Sequence, residues 1–357
     1  MVNEPINPVH AKIESSPKLN RDVGDMKRTI PLLLLISSLF LVACSNAQVQ
    51  STVQEPTPSE TPSPTKTYDD ISLPAFSEKN FDGRDLQVGK VLGKNDKFTR
   101  YFVTYKSGEL TISGIMNVPT GPGPFPTLVL AHGYIDPKIY TNGRGLAREQ
   151  KYLAENGFVV LHTDYRNHAQ SDDDTNIETN LRLGYLSYTE DVINAGIALK
   201  NSGLAYVDTN RLGLLGRSMG GGILFNAMVT KPDLFNAYVA YAPTSSNFVD
   251  NFNKWNRMNL EQVGEIENRY GLPEDNTEFW QDISAVNFFD KITQPVLILH
   301  GTKDESCPIQ WSENTYQALL AAGKSVEFIK YEGEQHAFVP KWEESIKETK
   351  RFFNENL

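Results

Sequence analysis

Between residues 98 and 119 apolar and polar positions alternate along two β-rich runs joined at Lys106-Ser107-Gly108-Glu109, a pattern that predicts an antiparallel hairpin. Downstream the alternation stops. Short uninterrupted apolar runs follow at 127–131, 158–163, 212–215, 237–242, 296–300 and 326–331. Runs of that length without alternation fit strands buried on both faces of a parallel sheet. Between them lie stretches with helical character, at about 145–155, 188–201, 219–230, 309–322 and 342–354. Strand and helix in turn predict an α/β fold: a mostly parallel, doubly wound sheet with an antiparallel hairpin at its N-terminal side. Residues 244–291 break the rhythm with nearly fifty residues between two strands. They form either a small helical cap, with Trp255 and Trp280 as candidate substrate-pocket residues, or a surface excursion secured by its aromatics.

The hydropathy pattern is different near the start. Residues 32–43, LLLLISSLFLVA, form an apolar run interrupted only by Ser37 and Ser38, follow Lys27 and Arg28, and end at Cys44. About 20 apolar residues are needed to span a bilayer, so this run reads as a secretory signal. Its end, Leu41-Val42-Ala43-Cys44, resembles the lipobox of bacterial lipoproteins. The resemblance implies cleavage before Cys44 and a lipid on its sulfur, hence an extracytoplasmic protein held to a bacterial membrane. Met26 makes a better start than Met1, because residues 1–25 show no apolar periodicity. Residues 44–70 are rich in Pro, Ser and Thr and bury too little apolar surface to offset the entropy of ordering; they read as a semi-extended spacer.

Length and charge refine this division. A chain of 357 residues suggests two or three domains at ~150 residues each. With residues 1–43 assigned to the leader and 44–70 to the anchor and spacer, 71–357 remain for one catalytic domain. The net charge of −10 argues against a nucleic-acid partner. Neither a Cys/His cluster with metal-ligand spacing nor a phosphate-binding glycine loop is present, so no metal and no cofactor are expected.

The chemistry concentrates at strand ends. Leu212 to Leu215 lead into Gly216-Arg217-Ser218-Met219-Gly220-Gly221-Gly222 and an apolar helical stretch. In a G-x-S-x-G turn between strand and helix, the flanking glycines admit the close backbone approach and the serine hydroxyl stands clear of the sheet edge. The Met219 N–H then opens a helix, where it can face a developing oxyanion. A serine needs a base and a carboxylate to orient that base. Of the six histidines, His10 lies in the leader, and His132, His162 and His300 fall in or beside strands; His168 reads as a structural loop residue. His336 follows the last strand, and Asp304 follows the strand at 296–300. The order Ser218, Asp304, His336 is that of the α/β-hydrolase fold.

The segments AHGYIDP, TDYRNHAQSD, VDTNRLGLLGRSMGGG, LHGTKDESCP and GEQHAF together resemble the prolyl oligopeptidase family and the related dienelactone-hydrolase-like esterases, over about residues 98–357. The resemblance implies Ser218 as nucleophile, His336 as base and acid, and Asp304 rather than Glu305 as the orienting carboxylate. It implies a second oxyanion donor at Tyr134, through backbone or ring. It makes Arg166 a brace for its loop, with a substrate-carboxylate clamp as the other reading; Asp172 to Asp174 read as a solvated loop and Cys307 as packing. Family peptidases usually carry an N-terminal propeller, for which the ~30 residues between spacer and Phe98 leave no room. The expectation is therefore a carboxylesterase, with a peptidase acting on short peptides as the alternative and a non-catalytic binding lipoprotein as a third reading.

Overall fold

The structure, a computed structural model, describes residues 70–357. The leader, Cys44 and all of the spacer but Asp70 lie outside the described residues. Among the described residues nine strands form one sheet: β1 (Arg84–Lys94), β2 (Phe98–Ser107), β3 (Leu110–Pro119), β4 (Phe125–Ala131), β5 (Val159–Thr163), β6 (Val207–Arg217), β7 (Ala237–Tyr241), β8 (Val296–Gly301) and β9 (Val326–Tyr331). Their spatial order is β1-β2-β3-β5-β4-β6-β7-β8-β9. The first three and the β3–β5 pair are antiparallel; every pair from β5–β4 to β8–β9 is parallel. The sheet is thus the mixed, mostly parallel one that the apolar runs predict.

The runs lack alternation because both faces are covered. Along β4, Val129 and Ala131 face one core, and Leu128 and Leu130 the other; along β6, Leu212 and Leu214 face one and Leu215 the other. Helices Leu186–Asn201, Met219–Thr230 and Ile309–Ala321 contribute to the first core, Ala147–Glu155 and Trp342–Asn356 to the second. Each fully buried Val, Leu or Phe contributes about 1.5–3 kcal/mol of transfer free energy, which fixes the register of these strands.

Three features differ from the pattern. Strand β1 lies outside the expected hairpin and is half-buried to exposed along its length, so it leaves no apolar signature; register shifts interrupt its pairing with β2. A short helix, Leu73–Glu78, precedes it, started by the Ser72 hydroxyl accepting from the Ala75 N–H. Residues 244–291 are helical in part: Phe248–Asn251, a π-helical turn at Phe252–Asn256, Leu260–Tyr270, Thr277–Asp282 and a 3-10 segment at Ala285–Lys291.

Candidate active site

Ser218 sits at the end of β6 with φ 56° and ψ −122°, a backbone conformation costly for a residue with a side chain. The surroundings enforce it. A Cβ at Gly216 would lie 2.1 Å from the Gly220 carbonyl oxygen, and one at Gly220 would lie 2.0 Å from that of Ala131, so only glycine lets β6, the turn and β4 approach this closely. The Ser218 N–H donates to Tyr241 O at the end of β7 (3.0 Å), and its carbonyl accepts from Gly221 and Thr244. Met219 opens the helix, so its N–H has no intrahelical partner.

Asp304 follows β8. Its Oδ1 accepts the backbone N–H groups of Ser306 and Cys307, each at 2.8 Å, which turns Oδ2 toward His336 Nδ1 at 2.8 Å. Burial alone would raise this carboxyl, but hydrogen bonds from His300 and His336 outweigh it and hold Asp304 well below the usual carboxylate range. The bond to Asp304 assigns the His336 proton to Nδ1 and leaves Nε2 free to accept one. Glu305 is not in that place: it accepts the His336 backbone N–H.

The His336 loop is tied to the serine turn. Arg217, the residue before Ser218, donates to His336 O at 2.9 Å and pairs with buried Glu149 at 3.1 Å. Arg148 donates to Ala337 O and Phe338 O. Helix Ala147–Glu155 thereby braces the His336 loop against the serine turn.

The loop after β4 passes beside the serine: a Cβ at Gly133 would lie 3.0 Å from Ser218 Cβ. His132 steers this loop through Nδ1, 2.6 Å from Gly133 O. Burial lowers His132 to about 3, so the ring is neutral at physiological pH. Tyr134 is 54% exposed, with the Arg182 guanidinium 4.7 Å from its ring centre.

The two tryptophans part company. Trp255 is exposed at 41% and meets Trp311, just past the Asp304 loop, edge-on at 5.4 Å. Trp280 is 1% exposed, packs on Phe248 and Phe252, and donates its indole N–H to Gly271 O. It therefore holds the insertion together and does not line a pocket, contrary to its reading from sequence. Arg166 is engaged by Asp191, Glu190 and Asp174, which leaves the brace and removes the clamp. Asp172 caps Thr111 N–H, so this loop is knitted to β3. His168 bonds the Arg166 and Ile135 carbonyls. Cys307 is buried, and burial pushes its thiol up.

His300, which the sequence marks only as a residue of a buried strand, lies beside the Asp304 carboxylate. Its Nε2 lies 2.9 Å from Cys307 O and 3.2 Å from Asp304 Oδ2, and its Nδ1 lies 2.7 Å from the Ser312 hydroxyl. Its position four residues before Asp304 is the one mark of this contact in the sequence.

A doubly wound sheet carrying a strained serine turn and a paired carboxylate and imidazole on successive strand ends defines the α/β-hydrolase class. Residues 145–357, more than half of the chain, match the model of the prolyl oligopeptidase family, and the chain belongs to that family. It is 24% identical over 266 residues to the uncharacterized peptidase YuxL of Bacillus subtilis, covering 69% of this chain and 38% of that one. Among solved structures it resembles the Pyrococcus horikoshii acylaminoacyl peptidase (TM-score 0.59, 21% identity, 74% of this chain and 42% of that one). It also resembles acetyl xylan esterase 1 from Thermoanaerobacterium sp. (TM-score 0.60, 17% identity, 81% and 94%). At these identities the structural likeness establishes the fold. The chain spans well under half the length of the first curated relative it matches.

Proposed function

We propose that this protein is a serine carboxylesterase acting through an acyl-enzyme on Ser218. The observation that carries the reading is the 2.8 Å bond from His336 Nδ1 to Asp304, on a loop tied through Arg217 to the serine turn. Ser218 Oγ attacks the ester carbonyl carbon as His336 Nε2 takes its proton; Asp304 stabilises the resulting imidazolium. The carbonyl oxygen becomes an oxyanion facing the N–H groups of Met219 and Tyr134. Tyr134 contributes its backbone N–H, on the loop whose Gly133 passes against Ser218. His336 then protonates the departing alkoxide, and water, deprotonated by the same imidazole, releases the acid.

The esterase reading is supported by the match to acetyl xylan esterase 1 over 94% of its length, against 42% for the acylaminoacyl peptidase. Family membership and the name of YuxL favour a second reading, a peptidase on short peptides. Turnover of 4-nitrophenyl esters against dipeptidyl anilides separates them. Wild type hydrolyses the esters and Ser218→Ala does not; faster anilide cleavage overturns the ester assignment.

We further propose extracytoplasmic action from a membrane tether at Cys44, supported by the apolar run of residues 32–43 and the spacer that follows. Metabolic labelling with a palmitate analogue tests it: Cys44→Ala loses the label, and an unlabelled wild type in a bacterial host contradicts it.

A further inference from the structure

The loop after β4 carries a backbone donor whose direction is set by buried side chains. His132 follows β4, is fully buried, and lies with Nδ1 2.6 Å from Gly133 O and Nε2 3.4 Å from Asp164 O. Burial keeps the ring neutral, with a single proton to place, and the shorter contact assigns it to Nδ1. This bond grips the carbonyl of the peptide group that joins Gly133 to Tyr134. That peptide is trans, so its N–H points opposite to its carbonyl. With Gly133 O held on the His132 ring, the Tyr134 N–H turns away from the ring. Among the described residues it meets no protein acceptor, and Gly133 packs against Ser218.

The imidazole is itself clamped. Its ring stacks on Tyr165 at 4.3 Å, Tyr140 at 4.9 Å and His162 at 5.3 Å between centres. Tyr165 adds a second hold, donating its hydroxyl to His132 O at 3.0 Å. One neighbour thus fixes both the ring and the carbonyl of His132. Tyr165 reaches this place from a left-handed backbone, φ 65°, a costly conformation for a tyrosine. The next residue enforces it: the Arg166 N–H donates to Asp191 Oδ2 at 2.8 Å, and the Arg166 guanidinium is gripped by Asp174, Glu190 and Asp191. Strain imposed this firmly, on a side chain that bonds two residues before Tyr134, points to a role in aiming the Tyr134 N–H.

We propose that His132 and Tyr165 are positioning residues of the oxyanion site: the His132 Nδ1–H sets the plane of the Gly133–Tyr134 peptide, and Tyr165 holds His132 in place, so that the Tyr134 N–H meets the oxyanion of the Ser218 adduct. This rests on the hydrolase reading for its catalytic consequence, though not for the hydrogen bond itself.

The test pairs 4-nitrophenyl butyrate with its thiono analogue, in which C=S replaces C=O; sulfur is a weaker acceptor than oxygen and draws little on backbone donors. Removing an oxyanion donor outright costs ~100- to 1,000-fold, so misaiming one in Tyr165→Phe lowers kcat/KM on the oxo ester about tenfold, and His132→Ala lowers it further. The thiono ester loses much less, so the oxo-to-thiono ratio falls. His132→Asn, whose Nδ2–H stands near the place of the imidazole Nδ1–H, recovers part of it. Tyr165→Phe keeps the stacked ring, so the comparison stands even where His132→Ala fails to fold. An unchanged ratio in Tyr165→Phe, or equal losses on both esters as expected of a purely structural role, overturns the proposal. Nitrogen NMR of isotopically labelled histidine reads the bond without turnover. Wild type shows His132, assigned by the loss of its signals in His132→Asn, as the neutral Nδ1–H tautomer; the Nε2–H tautomer overturns the proposal even if both esters are hydrolysed. A wild type inert to both esters with the Nδ1–H tautomer intact instead marks failure of the hydrolase reading, and the catalytic role falls with it.

Discussion

The His300 imidazole lies 3.2 Å from the Asp304 carboxylate, on the same oxygen that meets His336. His300 Nε2 faces two acceptors, Cys307 O at 2.9 Å and Asp304 Oδ2 at 3.2 Å, so the proton sits on Nε2 and is shared between them, bracing the carboxylate from behind. His300→Ala removes this donor. A hydrogen bond to a charged group contributes about 1.5–3 kcal/mol, so kcat on a neutral ester falls roughly ten- to a hundredfold, and His300→Asn recovers part of it. Unchanged kcat in His300→Ala contradicts the positioning role.

Asp304 also makes stability depend on pH. Its folded carboxyl lies below the ordinary value of about 3.9, so its ionised form is favoured by the fold. That contribution is complete above the unfolded value and is lost as pH falls through the folded one. Urea unfolding of wild type and Asp304→Asn gives the largest difference near neutral pH, narrowing below about pH 4. A difference that widens in acid refutes this.

Gly220→Ala places a methyl group 2.0 Å from Ala131 O, a backbone atom that cannot yield without shifting β4. Overpacking of this kind costs about 1–3 kcal/mol or more. Thermal unfolding shows a lowered midpoint, and activity is lost along with the turn geometry.

Arg166→Gln leaves Asp191 buried without its cation. Removing one partner of such a pair destabilises by about 3–5 kcal/mol. Denaturant titration shows this loss, while the preference between anionic and neutral esters is unaltered; a changed preference returns Arg166 to substrate binding.

The two tryptophans divide in the same way. Trp280→Ala empties a buried site and costs about 3–5 kcal/mol, whereas exposed Trp255→Ala changes KM with little effect on the unfolding midpoint.

What could be read from the chain follows from burial. Strands β4 to β8 are closed on both faces, so their sequences are apolar runs that announce themselves; Ser218 and Asp304 stand out by the runs they follow, and His336 by its place after the half-buried β9. Strand β1 is an exposed edge whose pairing comes from backbone bonds to β2, and backbone bonding leaves no residue pattern. Trp255 and Trp280 stand in similar polar stretches, and only packing tells the one at the surface from the one at the insertion's core. Arg182 reaches Tyr134 across 48 positions by way of a left-handed turn, a contact no local rule encodes.

The central claim is that Ser218 is the nucleophile, and a fluorophosphonate reports on it directly. Intact-protein mass spectrometry followed by peptide mapping finds a single adduct on Ser218 in wild type, none in Ser218→Ala, and slowed labelling in His336→Ala. An adduct that persists in Ser218→Ala, or maps to another residue, contradicts the account.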